Sequence, residues 1–214
     1  MPDPAVLAKP APRRRGAAKP EPAARATLTP EAWIEAATQV LVDSGIDHVR
    51  VDVLAHHMGV TRGSFYWHFR DREDLLRRVL QAWSERSTQL LTARLATAHT
   101  ADPQAQIRDV ISLPFRGRAA AKAARIELAI RAWARRDEMA RAAVDDADAS
   151  RIAYHVHLFG QLGFAAEEAR ARAFILYGYE VAESLLHRQG SAADREQRAA
   201  LVERLLKQPL AGTA

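Results

Sequence analysis

From Thr29 onward the apolar residues recur at steps of three and four, and no stretch competes as a strand; the pattern predicts an all-α chain. Thr29-Pro30-Glu31 reads as a helix start, with an N-cap hydroxyl, proline at the first helical position and an acid near the positive end. Trp33, Ile34, Ala37, Val40 and Leu41 then supply one apolar face as far as the Gly45 stop. Val51, Leu54, Ala55 and Met58 give a second, short helix, and Phe65 and Phe69 are the inward positions of a third. Asp71-Arg72-Glu73-Asp74 has the form of a cap with an acid three residues on. A long fourth helix runs from there through Leu75, Leu76, Val79, Leu80 and Trp83 to about Ala98.

The later part of the chain is helical throughout. Asp102-Pro103 opens a helix with Ile107, Val110, Ile111 and Leu113, and Pro114 ends it. Residues 119–136 form another, with Ile126, Leu128, Ala129, Ile130 and Trp133. Asp137 caps a helix to about Gly160 that lines up Val144, Ala147, Tyr154 and Leu158. Residues 166–189 carry Ala169, Ala173, Leu176, Tyr177, Val181 and Leu185 at helical spacing, and a last helix over about 192–206 turns Leu201 and Leu205 inward. There is no internal repeat.

Chemistry enters at residues 51–69. Gly59 is suited to a left-handed helix end, Val60 can plug the corner, and Thr61 can cap the third helix. Small Ala55 lets two helices cross closely, as in a helix-turn-helix. The residues pointing outward after the turn are Thr61, Arg62, Gly63, Ser64, Tyr66, Trp67 and His68, a set of donors and rings without one carboxylate. Such a face, with backbone donors at its start, suits a polyanion.

Gly45, Leu54-Ala55, the run Gly59 to Phe69 and Asp74-Leu75-Leu76 together resemble the DNA-binding domain of the TetR family of one-component transcriptional regulators, over roughly residues 29–80. The resemblance implies an N-terminal three-helix helix-turn-helix domain over 28–72, joined by the long fourth helix to a helical ligand-binding and dimerisation domain over 73–208. It implies a homodimer that binds a palindromic operator on double-stranded DNA, acts as a repressor and is released by a small-molecule effector. The helices about 137–160 and 166–189 correspond to the pair that meets its symmetry mate, with Ala143, Ala147, Ala169 and Ala173 permitting close approach. The family's effector pocket lies among the central helices, which makes Phe115, Ile126, Trp133, Phe159, Phe174 and Tyr177 candidates by position. Where the family usually has hydroxyl residues before the second helix this chain has Val49 and Arg50; Arg50 can replace that phosphate contact, whereas Asp52 repels phosphate.

The resemblance also assigns roles on the reading surface. Arg62 is the candidate for guanine in the major groove and Trp67 for a thymine methyl. Thr61, Tyr66, His68 and Arg72 are placed to hold phosphates, which fixes register without carrying sequence information.

Composition narrows the field. At 48% hydrophobic and 27% charged residues, the 214-residue chain is that of a soluble globular protein with one or two cores. It has no cysteine, so disulfides, thiolate metal sites and cysteine nucleophiles are excluded. No run approaches the ~20 apolar residues that span a bilayer, and the N-terminus lacks a secretory core, which predicts a cytoplasmic protein. The net charge of +5 is concentrated in residues 1–27, a Pro/Ala/Arg-rich arm carrying Lys9, Arg13, Arg14, Arg15, Lys19 and Arg25, read as disordered. Residues 209–214 are a C-terminal tail. No cofactor is predicted. Adjacent His56 and His57 diverge on a helix, as do His155 and His157, so they read as polar surface rather than metal ligands. No nucleophile elbow or phosphate loop is present, so no catalytic residue is assigned. Glu127 and Glu180 lie near apolar faces, where pairing with Arg131 or Arg135 competes with a role toward a cationic ligand. Two other classes remain: a ligand-independent architectural DNA binder, and a helical interaction or enzyme module with no affinity for DNA.

Overall fold

The computed structural model describes residues 29–98, 102–112, 117–186 and 190–208. The basic arm, the Pro114 stop, Phe115 and the C-terminal tail lie outside them. Among the described residues the regular elements are nine α-helices and one 3-10 turn, and no strand occurs. The helices are α1 (Pro30–Ser44), α2 (Val51–His57), α3 (Arg62–Phe65), α4 (Arg72–Ala98), α5 (Pro103–Ser112), α6 (Gly117–Ala134), α7 (Glu138–Gln161), α8 (Ala166–Leu185) and α9 (Ala192–Lys207), with the 3-10 turn at Ile46–His48. No helix is long and apolar enough to cross a membrane among these residues.

Local signals act where the sequence puts them. Thr29 accepts a bond from Ala32 N, and Gly45, at φ +84°, closes α1 by donating to Leu41 O. Asp137 accepts from Ala140 N at the start of α7. Asp71 accepts from Asp74 N while Asp74 accepts from Arg70 N, so one donor in the first turn of α4 and one just before it are satisfied together. A full capping box of Ser191 and Asp194 opens α9.

Packing divides the molecule into two apolar cores. The first holds Trp33, Ala37 and Leu41 of α1, Leu54 and Ala55 of α2, Phe65, Phe69, and Leu75, Leu76, Val79 and Leu80 of α4. It continues without a break into Ile126, Ile130 and Trp133 of α6 and into Ala140 and Val144 of α7. The second joins α5, the C-terminal half of α7, α8 and Leu206 of α9. The expected division near residue 72 therefore does not coincide with a gap in packing: α6 and the start of α7 form the floor of the helix-turn-helix. Three ion pairs reinforce that floor, Lys122 to Glu35 at 3.6 Å, Arg125 to Asp43 at 3.2 Å and Arg136 to Asp47 at 3.9 Å.

Several expectations are corrected. Leu201 and Leu205 are 45% and 57% exposed, and Leu206 is the α9 leucine that is buried. Leu185 is also exposed. Ala147, Ala169 and Ala173 are buried inside the protomer, the last two in the core that α8 shares with α7, and Ala143 packs partly buried on the first core. His155 is not surface: it is buried, 3.7 Å from Glu180 across the α7–α8 contact, while His157 is exposed. A stripe of apolar residues at helical spacing fixes that a face is covered, not which neighbour covers it.

Candidate nucleic-acid interface

The reading surface is built from the turn outward. Gly59 takes φ +66°, and Val60 N donates to Ala55 O at 2.9 Å, folding the chain back on α2. Phe65 and Phe69 are buried and stacked with centroids 5.2 Å apart, and Trp33 meets Phe65 edge-on at 5.3 Å. These rings anchor the segment from below, so that its other side must face solvent. Trp67 is 87% exposed and Tyr66 57%, far more than aromatic burial normally allows. Arg62 and Gly63 are exposed beside them, and a Cβ on Gly63 would meet nothing nearer than the Thr61 hydroxyl at 3.8 Å. His68 is half-buried, with its ring edge-on to Phe69.

The structure alters the expected geometry in three ways. α3 is a single helical turn that passes into a turn through His68, so the N-terminal dipole available to a polyanion is weak. Thr61 stands at the N-cap position without a side-chain capping bond, and Ser64 Oγ donates instead to Thr61 O at 2.7 Å. Arg72 is already engaged: Nε donates to Val49 O at 2.5 Å and Nη2 to Ile46 O at 2.8 Å. It braces the chain before α2 against α4. Arg50, the residue before α2, lies 3.8 Å from Asp52, and both are exposed. The carboxylate thus sits beside the cation proposed for phosphate.

The five effector candidates among the described residues do not converge. Ile126 and Trp133 belong to the first core and Phe159 to the second, Phe174 is 68% exposed, and Phe115 is outside the described residues. Tyr177 ends in a charged cluster. Arg131 donates to Glu127, to both Asp148 oxygens and to Tyr177 OH. Arg151 donates to both Glu127 oxygens, to Tyr177 OH and, at 3.3 Å, to Ser87 Oγ. The Tyr177 hydroxyl in turn donates to Asp148. Burial works against charge on Arg131 and Arg151, but the bonds and charges of Asp148 and Glu127 outweigh it and hold both guanidiniums firmly protonated. Burial raises the Asp148 carboxyl, but bonds from Arg131 and Tyr177 outweigh it and hold it below its usual range. Tyr177 is pushed up to about 12, chiefly by burial. Glu127 therefore pairs with Arg131, one of the two partners open to it from the sequence, and also with Arg151, which nothing in the local sequence indicated.

Two surface clefts stand out, of about 710 Å³ and 380 Å³. The larger lies where the start of α4 meets the α6–α7 corner, the smaller between α5 and α9, and none of the described effector candidates lines either.

Residues 34–79 match the family model described as bacterial regulatory proteins, tetR family. The chain is 41% identical over 58 residues to the HTH-type transcriptional regulator SrpR of Pseudomonas putida, a stretch that covers 27% of each protein. The match thus spans about a quarter of that relative's length. A transcriptional regulator from Rhodococcus sp. Rha1 superposes with a TM-score of 0.65 at 18% identity, over 84% of this chain and 96% of that one. The regulator FadR from Bacillus subtilis, solved in complex with stearoyl-CoA, gives a TM-score of 0.59 at 18% identity, over 83% and 97%. These likenesses extend the shared fold beyond the matched segment to most of the chain.

Proposed function

We propose that this chain, whose residues 34–79 match the model of the tetR family of bacterial regulatory proteins, is a cytoplasmic, homodimeric transcriptional repressor that reads a palindromic operator and is released by a small molecule. The observation that carries the reading is the exposed, acid-free surface of Thr61 to His68, held up by buried Phe65 and Phe69. Arg62 reads guanine and Trp67 packs on a thymine methyl, while Thr61, Tyr66 and His68 hold phosphates. Gly63 lets the backbone come close to DNA, and Ser64 steadies the turn. Arg50 contacts phosphate before α2. Arg72 serves as a brace for that contact rather than making one.

In this reading the dimer forms through α8 and α9. Apart from Tyr66 and Trp67, the large apolar side chains that stand exposed among the described residues are Phe174, Ile175, Leu185 and Leu186 on or just after α8, and Leu201 and Leu205 on α9. α7, the other helix expected there, is the central one, packed against α4, α5, α6 and α8. Two copies of the α8–α9 pair make a four-helix bundle. FadR's stearoyl-CoA supports a small-molecule effector.

Selection from random DNA tests the reading. An enriched palindrome is expected. A pool without sequence preference whose binding fades with salt favours an architectural binder, and no binding at all overturns the DNA-reading role.

A further inference from the structure

The two apolar cores are separated, along α7, by a step with almost no apolar content. Ala140 and Val144 belong to the first core, and Tyr154, Leu158 and Phe159 to the second. Between them the positions turned toward the neighbouring helices are Ala147, Asp148 and Arg151, before Ile152 packs against the second core. Facing these are Glu127 and Arg131 of α6, Tyr177 of α8 and Ser87 of α4. The set contains two guanidiniums, two carboxylates and one phenol. Each arginine reaches a carboxylate on another helix, Arg131 to Asp148 and Arg151 to Glu127.

Such a layer constrains position in a way that apolar packing does not. Burial of apolar surface is non-directional, so two greasy faces tolerate small slides. Arginine–carboxylate bonds demand an alignment of donors and acceptors, and slipping past one another would leave charges unmatched in a poorly solvated place. The layer therefore selects one relative placement of the two cores. The reading surface is built on the first core, and the apolar face of α8 and α9 stands on the second. In a dimer formed through that face, the path from one reading head to the other crosses two copies of the layer.

We propose that Glu127, Arg131, Asp148, Arg151 and Tyr177 fix the distance between the two reading heads, and so act as positioning residues for operator half-site spacing without touching DNA. The inference rests on the dimeric-reader proposal. Ser87 extends it to α4, since Arg151 ties that helix to the layer as well.

The chain contains no cysteine, so His56→Cys on the exposed end of α2 gives one spin label per head. Double electron–electron resonance on the labelled full-length dimer is expected to show one narrow distance in the parent. Tyr177→Phe keeps the ring and removes the bridging hydroxyl; it should shift and broaden that distance. Operators selected by Tyr177→Phe should keep the parent's half-site sequence while the spacing between half-sites relaxes. Ser87→Ala, at the margin of the layer, should do the same to a smaller degree and serves if Tyr177→Phe does not fold. Distances and half-site spacing unchanged in a folded variant overturn the proposal. A labelled parent with no distance between heads is no dimer, and overturns the dimeric reading and this inference with it. A dimer whose variants change distance but not spacing overturns the operator role alone.

Discussion

Arg62 on the reading surface and Arg131 between the cores carry the same guanidinium in opposite surroundings. Around Arg62 the segment from Thr61 to Phe69 offers no carboxylate at all, and its largest rings stand in solvent. Around Arg131 each charge has a counter-charge within bonding distance, and the whole set is at least half removed from water. The first arrangement leaves its charge balance to be completed from outside, by a polyanion. The second completes it within the fold, so its bonds carry information about helix placement and not about a ligand. Under the proposed function, unpaired and paired cations thus mark, in one chain, the surface that recognises and the joint that orients.

The sharpest way to break this contrast is to unbalance the joint. Glu127→Ala removes the acceptor shared by Arg131 and Arg151 and leaves two partly buried cations short of one anion. Losing one partner of a buried pair costs ~3–5 kcal/mol, and the partial exposure here places the expected loss near ~2–3 kcal/mol. Urea unfolding reads it; a loss below ~0.5 kcal/mol would mean the cluster behaves as ordinary solvated surface. Arg62→Ala is expected to do the reverse. It should leave stability nearly unchanged while weakening specific binding by ~1–3 kcal/mol and relaxing one operator position. A mutant with the parent's sequence preference would remove Arg62 from base reading.

Arg72→Ala lies between the two cases. Its charge-assisted bonds are part-buried to Val49 O and exposed to Ile46 O, so the expected stability loss is ~1 kcal/mol. Affinity should fall alike for all DNA sequences because the segment before α2 loosens, and binding titrated against salt should keep its slope. A slope flattened by about one unit would instead make Arg72 a direct phosphate contact. The smallest effect concerns pH. The Asp148 carboxyl is held below its usual range, so its stabilisation is fully present above the unfolded value near ~3.9 and is lost as pH falls through the lower folded one. Asp148→Asn should therefore lower stability at neutral pH and flatten its decline in acid; parallel acid limbs in the two proteins would contradict this.

The reading head was legible in the sequence because its determinants are local. Thr29, Gly45, Gly59, Phe65 and Phe69 act within a few residues of where they stand, and each does what its chemistry suggests. The length of α3 was not legible, since a Thr-Arg-Gly-Ser start reads equally well as one turn or two. The inter-core layer was hidden for a different reason. Ser87, Glu127, Asp148 and Tyr177 are spread over four helices, and each alone looks like a solvated or amphipathic position. Likewise α8 and α9 announce apolar faces, but Ala173 turns inward and Phe174 outward on adjacent positions, and only tertiary packing decides which face the protomer keeps. Arg172, buried and bonded to the carbonyls of Leu205, Leu206 and Gln208, closes the end of α9 from 33 or more residues away, and no short-range pattern foretells it.

The unbroken core beneath the helix-turn-helix bears on how such regulators can be recombined. Transplanting residues 29–80 onto another effector module would carry over Trp33, Val40 and Leu41 but leave behind Ile126, Ile130 and Trp133, on which they rest. The graft would also strand Glu35, Asp43 and Asp47 opposite whatever residues the new host supplies. A hybrid sensor built from this protein must therefore take its seam below α6 and the first turns of α7, making the transferable unit a discontinuous one that a single crossover in the gene cannot deliver.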